Sequence, residues 1–169
     1  MNYKHLLGRK FIWQQQDCYA LLRDFYRDVF QIELPNYARP DDFWQTGLNL
    51  FFDSSRDAGF YELNVHPSQY KFGDVVVSAI DSGFGNHCAI FVENGRIIHH
   101  LYNRLSEGPV PFKGLVRNTC VGVYRHKDVP DLAVLETEVA DIRSFLSPKK
   151  QKLLDELRAT HSGPQSETN

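Results

Sequence analysis

Residues 86–106 read NHCAIFVENGRIIHHLYNRLS, with two apolar runs, His87 to Val92 and Arg96 to Leu101, on either side of Glu93-Asn94-Gly95. Asn-Gly between such runs is a strong hairpin signal, because both residues accept the left-handed backbone that a tight reversal needs. The loop length decides which side chains share a face. A two-residue Asn94-Gly95 turn pairs 92 with 97 and 89 with 100, so His100 shares the face of His87. A three-residue loop, with Gly95 left-handed in a bulge, pairs 92 with 96 and 89 with 99, so His99 does. Either register puts two imidazoles on one face as near neighbours.

Outward from the hairpin, DVVVSAI (74–80) and CVGVYR (120–125) read as further strands. Ahead of them lies a helix. After Cys18, the residues Leu21, Leu22, Phe25, Tyr26, Val29 and Phe30 recur at helical spacing, with Arg23, Asp24, Arg27 and Asp28 opposite, until Pro35. One helix followed by a run of strands predicts an α+β fold with an antiparallel sheet. Residues 35–72 are less regular. Pro40-Asp41-Asp42 is a predicted helix start with Trp44, Leu48, Phe51 and Phe52 on one face, packed over the core to shape a groove.

Beyond the strands, Leu132, Leu135, Val139, Ile142 and Leu146 form a heptad-like stripe, and Ser147-Pro148 opens a second short helix carrying Leu153, Leu154 and Leu157. This predicts a domain over 1–127, a helical extension over 128–160 and a disordered tail over 161–169. The stripe is suited either to folding back onto the domain or to docking on a neighbouring protein.

Composition narrows the function classes. Of 169 residues, 19 are Lys or Arg and 21 are Asp or Glu, a net charge of −2 that gives no global basic field for nucleic acid. At 42% hydrophobic and 13% aromatic, the chain can bury a real core. Cys18, Cys88 and Cys120 cannot complete a disulfide framework and read as free thiols of a reducing compartment. No apolar run approaches the roughly 20 residues that cross a bilayer, so no membrane partner is expected. Residues 1–13 lack a signal-peptide core, so export by that route is not expected.

Cys18 follows an irregular polar stretch, Gln14-Gln15-Gln16-Asp17, at the start of the helix. A thiol there feels the positive end of the helix dipole and free backbone N–H groups, which favour the nucleophilic thiolate. The same N–H groups can hold an oxyanion. The competing reading is a buried structural cysteine. A cysteine nucleophile needs a base, and the base an orienting partner, roles for which His87 and either His99 or His100 are candidates. Zinc is the other chemistry for Cys18, His87, Cys88 and His99. However, no Cys-x-x-Cys or His-x-x-x-His spacing occurs, and adjacent strand residues His87 and Cys88 point to opposite faces. No metal is therefore expected. Cys88 and Cys120 are assigned to the core. His5, His66, His126 and His161 are assigned to surface or loop roles. No phosphate loop or dinucleotide fingerprint surrounds Gly83, Gly85 or Gly95, so no cofactor is expected.

Four stretches in order carry a resemblance: GRKFIW (8–13) with DCYALLRDFYRDVFQIELPNYARPDDFW (17–44), FGDVVV (72–77), the histidine hairpin (86–106), and VGVYRH (121–126). Together they resemble the NlpC family of cysteine peptidases, and most closely the members found in tail assembly proteins of long-tailed bacteriophages. The resemblance implies a papain-like core, with Cys18 as nucleophile, His87 as general base and His99 as the residue orienting it. His100 is the alternative third member. It also implies substrate contacts from Trp13, Asp17 and Tyr19. The implied activity is hydrolysis of peptide bonds in peptidoglycan stem peptides of the bacterial cell wall. The implied setting is a phage virion tail, assembled in the host cytoplasm, with tail-tip partners that residues 130–160 could dock. Three positions depart from the family pattern. Phe11 stands where Tyr is common and cannot donate a hydrogen bond, Tyr19 replaces the usual Ser, and Ala20 replaces a usual Gly. They leave open a structural tail-tip component with a blocked site, or an acyltransferase using the same thioester chemistry.

Overall fold

The computed structural model describes residues 2–40 and 43–130. The stripe at 132–146, the second short helix and the tail all lie outside the described residues. Helix α1 spans Cys18–Phe25, and Asp17 caps it, its side chain accepting the Ala20 N–H at 2.8 Å. Side-chain capping of this kind satisfies a donor that the first helical turn leaves open. The helix widens into a π-helical turn over Tyr26–Phe30 and stops at Gln31, whose φ of 61° turns the chain out.

Six strands follow: β1 (Phe60–Glu62), β2 (Val75–Ser78), β3 (His87–Val92), β4 (Arg96–His99), β5 (Glu107–Pro111) and β6 (Cys120–His126). They form one sheet in the order β1-β6-β2-β3-β4-β5, with every neighbouring pair antiparallel. The helix α1 packs against β3 across one face. The protein is therefore α+β, with its N-terminal helix on an antiparallel sheet.

The helix-side core gathers Leu21, Leu22 and Phe25 of α1 with Val75, Val77, Cys88, Ile90, Val92 and Ile98. The opposite face carries Val76, Ala89, Phe91, Ile97 and Val123, covered by Val116 of the short helix α3 (Leu115–Asn118). Burial on both faces explains why β2 and β3 read as continuous apolar runs rather than alternating ones. Tyr26 anchors the helix to the sheet, its hydroxyl donating to the Gly73 carbonyl at 2.6 Å.

The hairpin takes the three-residue loop. Val92 pairs with Arg96 and Ala89 with His99, while Asn94 and Gly95 both have left-handed φ, 59° and 65°. Beyond β4, the chain returns as β5, which begins opposite His99 at Glu107.

Several expectations need correction. The single helical face predicted after Pro40 does not form. A one-turn 3-10 helix over Phe43–Gln45 and helix α2 (Leu50–Ser55) are separated by Gly47, whose φ of 81° breaks the periodicity. Phe51 packs on the core, but Leu48 and Phe52 are exposed. Strands β1 and β5 are additional. The first has three residues, and the second holds Pro109 and Pro111, which a sheet tolerates at its edge. His126 is buried rather than at the surface, its ring edge-on to Phe60 at 5.0 Å between centroids. Gly59 makes room for it, since a Cβ there would lie 2.6 Å from Nε2.

Candidate active site

Four residues ahead of α1 set the position of its first turn. Gln14 adopts a left-handed φ of 62°, and its N–H donates to Asp17 Oδ2 at 2.9 Å. Asp17 Oδ2 also accepts from Arg39 Nε at 2.8 Å, and both side chains are almost fully buried. The Arg39 guanidinium reaches further, donating to the Gln14 carbonyl (2.8 Å) and the Tyr37 carbonyl (2.7 Å). The indole of Trp13 donates to the Arg39 carbonyl at 3.1 Å. This clamp ties residues 13–17 to 37–39 and fixes where Cys18 emerges.

Cys18 is a buried free thiol at the first position of α1. Two neighbouring side chains, Cys88 and His87, act on its sulfur. The Cys18 thiol is held well below the ordinary thiol range, first by the hydrogen bond from the Cys88 thiol. Burial opposes that shift, and the hydrogen bond and charge of His87 reinforce it. The carboxylate of Asp17 pulls the other way. The Cys88 thiol moves up in turn, through burial and then through its contact with Cys18.

His87 Nε2 lies 3.3 Å from His99 Nδ1, across the β3–β4 pair. The rings meet edge to face at 5.4 Å between centroids. Burial, then the neighbouring His87 and His100, push His99 down to about 4, so its ring is neutral at pH 7. Its Nε2 stands 3.3 Å from Glu107 Oε1. His100 points elsewhere. Its Nε2 donates to the Arg104 carbonyl at 3.1 Å, and its ring meets Phe11 edge-on at 5.3 Å.

A groove of about 620 Å³ opens over this group, lined by Phe11, Trp13, Cys18, Asn86, His87 and His100 among others. Asn86 keeps the rim in place by exchanging two hydrogen bonds with the backbone of Ile80, at 2.9 and 2.8 Å. Trp13 is thus a groove residue. Asp17 is not exposed to the groove, being occupied by Ala20, Gln14 and Arg39. Tyr19 turns into a separate apolar pocket with Leu22, Tyr37, Phe51 and Ala58, and its hydroxyl donates to the Pro35 carbonyl. Among the described residues, no group of three or more His, Cys, Asp or Glu side chains could hold a metal ion, and no helix is long and apolar enough to cross a membrane.

Sequence reasoning missed Arg39 and Glu107 as members of this neighbourhood, and it assigned Cys88 to the core, where Cys88 lies. Arg39 had one available signal: an aspartate at a buried helix start needs a cation. Nothing in spacing pointed to Glu107.

The site thus gathers a helix-borne thiol, a strand-borne imidazole and a second imidazole behind it. The sequence pattern of the NlpC/P60 family matches residues 8–125, and the chain belongs to that family. It is similar to the tail tip assembly protein K of Escherichia phage lambda, 38% identical over 103 residues, which cover 61% of this chain and 50% of that protein. It is also similar to the tail tip assembly protein K of Escherichia phage N15, 31% identical over 126 residues, covering 73% of this chain and 50% of that protein. The chain thus spans about half the length of the curated relatives it matches. Among solved structures, an NlpC/P60 family protein from Bacillus cereus ATCC 10987 aligns over 73% of this chain and 37% of its own, at 22% identity and a TM-score of 0.49.

Proposed function

We propose that the protein is a cysteine endopeptidase of a bacteriophage tail, hydrolysing peptide bonds in the stem peptides of bacterial peptidoglycan. Family membership and the likeness to two phage tail tip proteins support that class and setting. The observation that carries the chemistry is the Cys18 thiol, lowered by Cys88 and His87, with His99 behind His87 at 3.3 Å.

In this reading, His87 takes the proton of Cys18, and the thiolate sulfur attacks the scissile carbonyl. Backbone N–H groups at the start of α1 hold the oxyanion. As the tetrahedral species collapses, the C–N bond breaks, and His87 returns its proton to the leaving amine. Water, deprotonated by His87, then cleaves the thioester and regenerates the thiol. Trp13 and Phe11 flank the bound peptide. Asp17 and Tyr19 act from behind the site, shaping the loop and the helix start. Tail-tip partners would dock through residues 130–160, giving the protein a role in tail assembly or in DNA passage.

The test is hydrolysis of purified muropeptides followed by mass spectrometry. Cys18→Ala is expected to abolish product formation with an unchanged circular dichroism spectrum, because loss of the nucleophile typically costs orders of magnitude in rate. Turnover by the variant comparable with wild type overturns the assignment.

A second reading, a structural tail component with a silent site, is favoured by Phe11, which presents only carbon to the groove. It predicts that the wild-type protein releases no fragments and that Cys18 alkylates no faster than an ordinary thiol.

A further inference from the structure

We propose that Asp81 is a specificity-determining residue of the groove, its carboxylate binding an ammonium group of the peptide substrate. The proposal rests on the peptidase reading given above and names the substrate chemistry of that site. Among the described residues that line the groove beside Cys18, Asp81 is the one acid, and none is Lys or Arg. Asp81 is exposed, and among the described residues no hydrogen bond or ion pair occupies its carboxylate. The groove that holds the sulfur therefore also holds an acidic group that the protein does not use internally.

The β2–β3 loop holds Asp81 from both sides. Its φ of 50° is left-handed, a conformation that aspartate tolerates better than most residues. Just before it, the Ile80 N–H donates to the Asn86 side chain and the Ile80 carbonyl accepts from it. The Asn86 N–H donates in turn to the Ser78 carbonyl at 3.0 Å. Just after it, the Ser82 hydroxyl accepts from the Phe84 N–H at 3.1 Å. Gly85 then lies so close to β2 that a Cβ there would stand 2.5 Å from Val77 Cγ1. A loop ordered in advance gives up little freedom when a ligand arrives, which favours binding.

The neighbours select the kind of cation. A metal ion such as calcium or magnesium asks for several oxygen ligands, and this groove offers one carboxylate. An organic cation gains instead from aromatic ring faces, and Phe11, Trp13 and Tyr102 line the same groove. Phe11 touches both of the others, with centroids 6.2 Å from Trp13 and 5.1 Å from Tyr102. Tyr102 is 67% exposed, so its ring is open to a ligand. A peptide can bring an ammonium to such a groove from its N-terminus or from the side chain of a diamino residue. Because Asp81 faces solvent, the preference it confers is modest and is screened by salt.

Synthetic stem peptides that contain lysine test this on the full chain. They are used in three forms: unmodified, acetylated at the N-terminal amine alone, and acetylated at the lysine side chain alone. At low salt, wild type is expected to cleave the unmodified peptide with a kcat/KM about 3- to 10-fold above that of one acetylated form, mainly through KM. The acetylation that removes the preference identifies which ammonium Asp81 binds. Asp81→Asn keeps the shape of the side chain, and asparagine accepts the left-handed backbone as well as aspartate does. This variant is expected to cleave the unmodified peptide and that acetylated form with equal kcat/KM, at low and high salt alike. A variant that keeps the wild-type ratio overturns the specificity role alone, as does a wild-type protein that cleaves all three forms equally. A wild-type protein that cleaves none of the three overturns the peptidase reading, and the specificity role with it.

Discussion

Asp17 Oδ2 and Arg39 Nε meet at 2.8 Å, with both side chains all but removed from solvent. The pair sits directly behind the residue that carries the sulfur. Its carboxylate caps α1 through Ala20 and holds the Gln14 backbone, so one ion pair orders three segments. Removing one partner of such a pair strands the other charge in the interior, which costs about 3–5 kcal/mol. Arg39→Met and Asp17→Asn are each expected to lower the unfolding free energy, extrapolated from urea titration, by that amount. The double variant is expected to lose less than the two losses added together. Additive losses in that cycle show the two side chains to be uncoupled.

Cys88 supplies the largest single influence on the Cys18 thiol. Cys88→Ala is therefore expected to move the alkylation profile of Cys18 to higher pH, while destabilising the core by only about 1 kcal/mol. Cys88→Ser keeps a donor and is expected to lie between alanine and wild type. Coincident profiles for all three proteins assign the shift to His87 and the helix start alone.

His99 makes stability depend on pH with a defined sign. Its imidazole titrates near 6.5 when unfolded and is pushed down to about 4 in the fold. Between those values the unfolded chain binds a proton that the native state refuses. Stability therefore rises with pH across that window, is flat for this group above it, and levels off below about 4. The loss on going from pH 7 to pH 4 is on the order of 3 kcal/mol at most for this residue. His100 and His126 are lowered too, mainly by burial, and act in the same direction. Urea midpoints at pH 4.5 and 7.5 measure it. His99→Asn is expected to lose less across that interval than wild type, and an equal loss in both proteins removes His99 as the source.

Local chemistry made much of this molecule legible. Asp17 and Cys18 mark a helix start because a short polar side chain accepts the open N–H of Ala20. The β-branched and aromatic runs at 75–78 and 87–92 announce strands because they are buried on both faces, and those at 96–99 and 120–126 because β-branched and aromatic residues recur in them. The register was legible only as a pair of alternatives. Asn94-Gly95 fits either loop, and the structure brings Glu93 into the turn. What could not be read depends on partners far along the chain. Strand β1 is held by pairing with β6, not by three residues of propensity, and β5 contains prolines that argue against a strand until its edge position is known. Arg39 is surrounded by loop residues, and only the folded chain reveals that Asp17 needs it. His126 looks like a surface histidine until Gly59 and Phe60 close over it.

The sulfur and the imidazole that helps to lower it lie far apart along the chain, one on the first helix and one on the third strand. A chain still emerging from a ribosome, or one melted by denaturant, therefore carries a cysteine of ordinary reactivity. On the peptidase reading, nucleophilicity comes only when the sheet has docked beneath the helix, so a thiol probe is expected to time the maturation of this protein.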